Sequence, residues 1–174
     1  MIQTSEHASR PNRLIGLQAD HQGALLRYAA RFVGPEQARD VVQDAFARWL
    51  ATETPPRDAA AKAWLFTVTR NRALDLIRKD KRMKSLSEPH GPVESSIPPA
   101  DVLAVMSEQQ GQVLSALGDL PALQQDVLRL KYQNEFTYKQ IAEITGKSAS
   151  HVGVLIHDGL TALRNQFRTL DLLS

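Results

Sequence analysis

The feature that most constrains the fold of this chain is a tight break between two amphipathic patterns near its C-terminus. The break, Thr145-Gly146-Lys147-Ser148, offers a glycine that can end one helix in the left-handed conformation and a serine that can cap the next. Apolar residues with helical spacing occur before the break (Ile141, Ala142, Ile144) and after it (Val152, Leu155, Ile156, Leu160). Two short helices joined by a glycine-containing turn are the helix-turn-helix layout, so the sequence predicts a unit whose second helix enters the DNA major groove.

The first half of the chain contains three further helical patterns. The first runs over about residues 14–33, the second over 36–50 and the third over 59–84, and Gly34-Pro35 separates the first two. The second pattern is the clearest. Its predicted inward face consists of Ala38, Val41, Val42, Ala45, Phe46 and Trp49, and its outward face of Arg39, Asp40, Gln43, Asp44 and Arg48.

Residues 85–100 interrupt the helical patterns. This stretch holds four Pro, one Gly and four Ser, a composition typical of a linker. Residues 101–116 are then able to form a helix that leads into the helix-turn-helix unit. No alternating β pattern is visible, so we predict an all-α fold of two small helical domains.

Charge is distributed unevenly along this chain of net charge +2. Residues 62–84 carry eight Lys and Arg against two acids, whereas residues 86–120 carry five acids and no Lys or Arg. A basic block followed by an acidic one favours a nucleic-acid partner over a small molecule.

Several classes of protein are disfavoured. The chain has no Cys, which excludes disulfides and Cys-based zinc sites and fits a reducing cytoplasm. The sequence contains no run of 18 apolar residues, so we predict no membrane span. Residues 1–13 do not look like a secretory signal. The five His are scattered, and no metal-ligand spacing, nucleophile–base set or phosphate loop is visible. We therefore expect no enzyme activity, no cofactor and no metal.

Four motifs, in order, resemble those of extracytoplasmic-function (ECF) sigma factors of bacterial RNA polymerase. They are residues 24–29 (ALLRYA), residues 40–46 (DVVQDAF), residues 63–71 (AWLFTVTRN) with Asp75 and Arg78, and Leu120-Pro121 followed by Gln124, Val127, Leu128, Tyr138, Ile141, Ala142 and Gly146. The resemblance covers about residues 14–167. A lone helix-turn-helix would be weak evidence, but four motifs in this order around an acidic linker are specific.

The resemblance implies a domain plan and a set of partners. Residues 1–85 would be a region 2-like domain that binds core polymerase and melts the −10 element, residues 86–104 the linker, and residues 105–174 a region 4-like domain for the −35 element. The implied partners are core RNA polymerase, through its clamp coiled coil and flap, promoter DNA and an anti-sigma factor, with no membrane insertion. Core-binding residues would be Asp40, Gln43 and Asp44, although the same residues could form an ordinary solvated face.

The basic helix is where the −10 contacts are expected. The candidate residues are Lys62, Trp64, Asn71, Arg72, Arg78 and Lys79. An indole can stack on an unpaired base and Asn can pair with adenine, while cations neutralise phosphates. Two other interpretations stay open here: Trp64 could be a core residue packed on Trp49 and Phe46, and Asp75 is expected to pair with a nearby Arg.

For the −35 element the candidates are Thr137, Tyr138, Lys147, Ser148, Ser150, His151 and His157. Here the sequence departs from its family, which commonly has Lys or Arg where this chain has Gly153 and Arg where it has Asp158. Residues 148–162 contain no Lys or Arg. Weaker −35 binding, or binding through shape and apolar contact, is the expectation. The departure also leaves a second possibility, a sigma-like interaction protein that binds an anti-sigma factor or polymerase without −35 readout.

Overall fold

The computed structural model describes residues 3–85 and 108–169 of the chain. These residues form helices joined by turns, in agreement with the predicted all-α fold. In chain order they are α1 (Gln3–Ala51), α2 (Asp58–Ser85), α3 (Glu108–Gly118), α4 (Ala122–Tyr132), α5 (Tyr138–Thr145) and α6 (Ala149–Thr169). The chain divides into two compact units, Met1–Pro92 and Val93–Ser174, which are described separately. The predicted linker, residues 86–104, and the chain after Thr169 lie outside the described residues.

In the first unit, Gly34 kinks α1 at the predicted position. Its φ of 79° and ψ of 167° are not helical, and a positive φ of this kind is a conformation that glycine adopts without steric cost. Pro35 follows, at a position where a proline suits the start of a new helical segment. The kink divides α1 into a first arm, residues 3–33, and a second arm, residues 35–51.

The core of this unit lies where α1 packs against α2. All six residues predicted to face inward from the second arm are buried. Leu65 and Phe66 of α2 are fully buried as well, and the rings of Tyr28 and Phe66 have their centroids 5.0 Å apart. The 3.6-residue period therefore identified the buried face of the second arm correctly.

The first arm begins earlier than the sequence suggested. The helix starts at Gln3 rather than near Leu14, and Pro11 lies within it. Periodicity gave no signal for residues 3–13 because few of them are apolar. The Arg10 guanidinium donates a hydrogen bond to the carbonyl oxygen of Glu53. This contact, between residues far apart in sequence, ties the early helix to the chain after the second arm.

The second unit is built around α6, which contacts α3, α4 and α5. Its buried apolar residues come from all of these helices and from the turns before and after α4: Ala116, Leu120, Val127, Leu128, Leu130, Phe136, Ile141, Ile144, Val152 and Ile156. The α5–α6 pair has the helix-turn-helix arrangement that the sequence predicted. Gly146 ends α5 in the left-handed conformation, with φ 69°. The Ser148 hydroxyl accepts a hydrogen bond from the amide of His151 at 3.1 Å, as expected of an N-cap.

Two local hydrogen-bonded arrangements in this unit were not predicted. Thr137 and Gln140 form a capping box at the start of α5, in which each side chain accepts from the other residue's backbone amide. The buried Gln125 amide donates to the carbonyl oxygens of Gly118 and Leu120, at 3.0 and 2.8 Å. These bonds hold the turn between α3 and α4.

Two glycines within α6 provide a matched test of its packing. A Cβ at Gly159 would lie 2.9 Å from Cδ1 of the buried Leu128, whereas a Cβ at Gly153 would lie 3.6 Å from the Tyr138 ring. We expect Gly153→Ala to raise the free energy of unfolding of this unit by about 0.5–1 kcal/mol, because alanine is the better helix former. Gly159→Ala should instead lower it by about 1 kcal/mol, because the cost of overpacking exceeds that gain. Hydrogen exchange of the α4 and α6 amides measures both, and equal stabilisation by the two substitutions would contradict close packing of α6 on α4.

Candidate nucleic-acid interface

Helix α2 carries the residues predicted to contact the −10 element. Trp64, Asn71 and Arg78 are spaced by seven residues, so they lie along one side of the helix. Trp64 and Arg72 are half-buried, whereas Asn71, Arg78 and Lys79 are exposed. Arg72 and Lys79 lie on the adjoining side. The helix therefore brings an indole, an amide and several cations to one surface.

The two tryptophans of the chain have different environments. Trp49 is 1% exposed, and its indole Nε1 donates to the carbonyl oxygen of Pro56 at 3.0 Å. Trp64 is half-buried and retains accessible surface. Trp49 is thus a core residue, while Trp64 is only partly shielded from solvent.

Trp49 also positions the loop between α1 and α2. Its hydrogen bond to Pro56 fixes the loop just before residues 57–62. The resemblance to ECF sigma factors implies that this segment helps to form a pocket for a flipped base. Asp58, the first residue of α2, has a φ of 50°, a left-handed conformation that Asp tolerates better than most residues. The loop enters α2 through this single residue.

An ion-pair cluster links the second arm of α1 to α2. Oδ2 of Asp44 lies 3.1 Å from Nε of Arg48 and 3.4 Å from Nε of Arg72. Neither contact meets the geometry of a hydrogen bond, and both pairs are partly exposed, so each contributes little to stability. Asp40 and Gln43 are exposed, as predicted for the polymerase-binding face, whereas Asp44 is half-buried and shared with the basic helix.

Asp75 pairs with an arginine, as the sequence suggested. Its Oδ1 lies 3.0 Å from a terminal nitrogen of Arg78, and both side chains are exposed. The pair leaves Arg78 on the surface of α2. A phosphate that binds Arg78 has to compete with this carboxylate.

Lys62 lies apart from the other α2 candidates, near the first arm of α1. Burial, followed by the positive charge of Lys62, lowers the pKa of the His21 imidazole, and Asp20 opposes the shift. Lys62 is half-buried. It is consequently close to His21 of the first arm, and helical spacing places it on a different side of α2 from Trp64.

In the second unit, all seven residues predicted to contact the −35 element are exposed: Thr137, Tyr138, Lys147, Ser148, Ser150, His151 and His157. They cluster at the start of α5 and along α5–α6. Two of them also cap helices, since the Thr137 side chain accepts from Gln140 and that of Ser148 from His151. Their local role leaves fewer side-chain groups for DNA than the sequence alone suggested.

Tyr138 joins the two helices of the motif on their outer surface. Its ring lies beneath the Lys131 ammonium, with Nζ 5.3 Å from the ring centroid, a distance within cation–π range. It also lies beside Gly153 of α6. Lys131, which sequence reasoning did not single out, is thereby placed next to the predicted −35 surface.

Among the described residues, no group of three or more His, Asp or Glu side chains is placed to hold a metal ion. Within the same ranges, no helix is long and apolar enough to cross a membrane.

Comparison with known proteins agrees with this two-unit arrangement. The Sigma-70 region 2 family model matches residues 17–83, and the Sigma-70 region 4 model matches residues 110–163. The ECF RNA polymerase sigma factor SigL of Mycobacterium tuberculosis is 33% identical over 154 residues, which cover 85% of each protein. SigK of Mycobacterium sp. (strain JLS) is 25% identical over 136 residues, which cover 75% of this chain and 70% of SigK.

Two solved structures are also similar. One is the sigma factor RpoE in complex with the anti-sigma factor NepR from Bartonella quintana, with a TM-score of 0.65 and 25% identity over 84% of this chain and 91% of that one. The other is CnrH in complex with the cytosolic domain of CnrY, with a TM-score of 0.62 and 27% identity over 98% and 96% of the two chains.

A region 2 unit followed by a region 4 unit with an exposed helix-turn-helix defines a sigma factor of bacterial RNA polymerase. Within that class, the chain belongs to the extracytoplasmic-function (ECF) sigma factors. It is therefore a transcription initiation factor whose partners are core RNA polymerase and promoter DNA.

Proposed function

We propose that residues 1–85 dock on the polymerase and capture the −10 element, that residues 86–104 connect the units, and that residues 105–174 bind the −35 element. The chain catalyses no reaction itself and acts in the cytoplasm. The observation that carries this proposal is the side of α2 on which a partly open indole (Trp64), an exposed amide (Asn71) and exposed cations lie together.

Asp40 and Gln43 are the proposed contacts with the clamp coiled coil of core polymerase. Both are exposed on the second arm of α1, whose opposite face is buried against α2. Asp44 adjoins this surface but already pairs with Arg48 and Arg72. It therefore lies between the polymerase-facing side of α1 and the DNA-facing side of α2.

At the −10 element the binding energy has to open the duplex. Taking a base out of the stack costs a few kcal/mol. Stacking of that base on Trp64 returns about 1–3 kcal/mol, and paired hydrogen bonds from Asn71 to adenine add a comparable amount. Lys62, Arg72, Arg78 and Lys79 supply phosphate contacts, each with a salt-dependent gain from counterion release.

In the second unit, α6 enters the major groove of the −35 element while the start of α5 meets the backbone. Lys147 and Lys131 lie beside this surface and supply cations that residues 148–162 lack. The flap of core polymerase is the proposed protein contact of this unit.

An anti-sigma factor is a further proposed partner. The two similar solved structures are complexes with NepR and with the cytosolic domain of CnrY, and the first of these is described as an anti-sigma factor. The absence of Lys and Arg from residues 148–162 favours a second candidate function, a sigma-like protein that binds such a partner or polymerase without reading the −35 element. Transcripts that depend on the −35 sequence would rule out this alternative.

The decisive experiment is transcription in vitro with core polymerase, the full chain and a library of genomic fragments. We expect Asn71→Ala to lower open-complex formation about tenfold while leaving core binding unchanged, because its amide contacts DNA only. Open complexes are measured by permanganate reactivity of unpaired thymines and core binding by fluorescence anisotropy.

Gln22→Ala is the matched control, since Gln22 is an exposed amide on the first arm of α1. It should change neither quantity. Equal loss of core binding and opening in Asn71→Ala would contradict a DNA-contacting role, and no transcript from any fragment would contradict the proposed function itself.

A further inference from the structure

The exposed face of α6 has an unusual composition for a helix that enters a DNA groove. Ser150, Val154 and His157 share this face, with His151 and Asp158 along one border. Val154 is 58% exposed. Folding of the helix does not require a branched apolar side chain at such a solvent-facing position. Over residues 148–162 this face contains no Lys or Arg, so its N-terminal half lacks the side chains that pair with guanine through two hydrogen bonds.

Val154 offers only methyl groups to a ligand. On the major-groove edge of DNA, the C5-methyl group of thymine is the apolar feature that distinguishes one base pair from another. The exposed valine in the middle of the face is therefore suited to contact thymine, and it forms no hydrogen bonds with the other bases. The contact gains binding free energy because the Val154 methyl groups and the thymine methyl group are both removed from water.

Asp158, one turn further along α6, has the complementary chemistry. An ionised carboxylate only accepts hydrogen bonds, and it is repelled by phosphate. In the major groove the cytosine amino group is a donor, whereas the adenine amino group adjoins the N7 acceptor, which a carboxylate avoids. Residues four apart on a helix have Cβ atoms about 5–6 Å apart, and base pairs of B-DNA are about 3.4 Å apart, so the two side chains address positions one to two steps apart.

We infer that Val154 reads the methyl group of a thymine in the −35 element and that Asp158 reads a cytosine one to two base pairs away. This inference rests on the proposed function, because it places α6 in the major groove. It goes further by naming the bases and by replacing cation-based guanine readout with methyl and acceptor readout.

The test uses holoenzyme assembled from core polymerase and the full chain, on a promoter selected from a library with a randomised −35 element. Each −35 thymine is replaced singly by deoxyuridine, which removes the methyl group and keeps the base pairing. We expect one replacement to weaken promoter binding about three- to fivefold, the effect of one buried methyl group. With Val154→Ala the same replacement should have no effect.

Val113→Ala is the matched control, because Val113 is an exposed valine on α3 of the same unit. It should leave the deoxyuridine effect intact. In a base-pair scan, Asp158→Asn should lose at least a fivefold preference for cytosine at a position adjoining that thymine or one step beyond it.

The inference is overturned if no deoxyuridine replacement weakens binding, if Val154→Ala keeps the sensitivity, or if Asp158→Asn keeps the cytosine preference. In these cases the holoenzyme would still transcribe, and the proposed function would stand. Absence of all transcription would overturn both.

Discussion

Replacing Trp49 by Ala should lower the free energy of unfolding of the first unit by about 3–5 kcal/mol, which is a large part of the stability of a small domain. Trp49 is 1% exposed and belongs to the core of the unit in which α1 packs against α2. Its loss leaves a cavity and also removes the indole donor from the Pro56 carbonyl oxygen, 3.0 Å away. Trp49→Phe should cost less, because it keeps most of the apolar volume and loses mainly the hydrogen bond.

Trp64→Ala provides the matched control for this experiment. Both tryptophans of the chain lie in the first unit, so tryptophan fluorescence follows urea unfolding of that unit alone, and each variant keeps one fluorophore. Trp64 is half-buried, so its replacement should cost clearly less stability while reducing promoter opening. Equal destabilisation by Trp49→Ala and Trp64→Ala would contradict the assignment of Trp49 to the core and of Trp64 to the DNA-binding side.

The loop after Trp49 links this stability prediction to function. Because the hydrogen bond from Trp49 holds Pro56, Trp49→Phe should loosen the segment before α2 without unfolding the unit. The pocket for a flipped base that the family resemblance implies would include residues 57–62. A variant that stays folded can therefore still lose part of its ability to open DNA.

Local sequence signals predicted the parts of this structure that depend on neighbouring residues. Gly34, Gly146 and Ser148 set backbone conformations within one turn of themselves, and all three act as predicted. The capping box of Thr137 and Gln140 was equally local and could have been recognised, because Thr followed three residues later by Gln is its known signature. It was missed because Thr137 was considered only as a DNA contact.

Contacts between residues distant in sequence could not be predicted from periodicity. Arg10 bonds the chain at Glu53, and Asp44 pairs with Arg72 of the next helix. Helical spacing places a residue on a face but does not reveal which side chain of another helix meets it. For this reason the sequence assigned Asp44 simply to the outward face, whereas the structure shares it between α1 and α2.

The same limit applies to the candidate site. The sequence indicated the basic block as a whole, but the structure distinguishes its cations by their partners. Arg78 lies 3.0 Å from Asp75 and Arg72 lies 3.4 Å from Asp44, so a phosphate has to displace a carboxylate from each. Lys79 and Arg82 are exposed on the later part of α2, and Arg82 continues the side that carries Trp64 and Asn71. These two cations are consequently the strongest candidates for direct phosphate contacts.

The double substitution Lys79→Gln/Arg82→Gln should therefore weaken promoter binding more than any single substitution proposed above. Each lost phosphate contact reduces the slope of log K against log salt by about 0.7 for single strands and about 0.9 for duplex. Two contacts together should reduce it by about 1.4–1.8. If variant and parent bind equally at 1 M salt, the variant then binds roughly 25- to 60-fold more weakly than the parent at 0.1 M salt. The measurement is promoter binding by holoenzyme across a salt series, with the chain saturating core polymerase.

Arg27→Gln/Arg39→Gln is the control with the same change in net charge, since both arginines are exposed in the same unit but lie on α1. If these cations act only through general electrostatic attraction, the two double variants should bind about equally weakly. The slope of log K against log salt should then change only as much as the total charge predicts. Direct contact by the end of α2 requires the slope to fall only in Lys79→Gln/Arg82→Gln. Contacts with the separated strands supply part of the free energy that opens the DNA. The same variant should therefore show a smaller fraction of open complexes at equal promoter occupancy. If these cations only attract duplex DNA, the fraction of open complexes should stay unchanged.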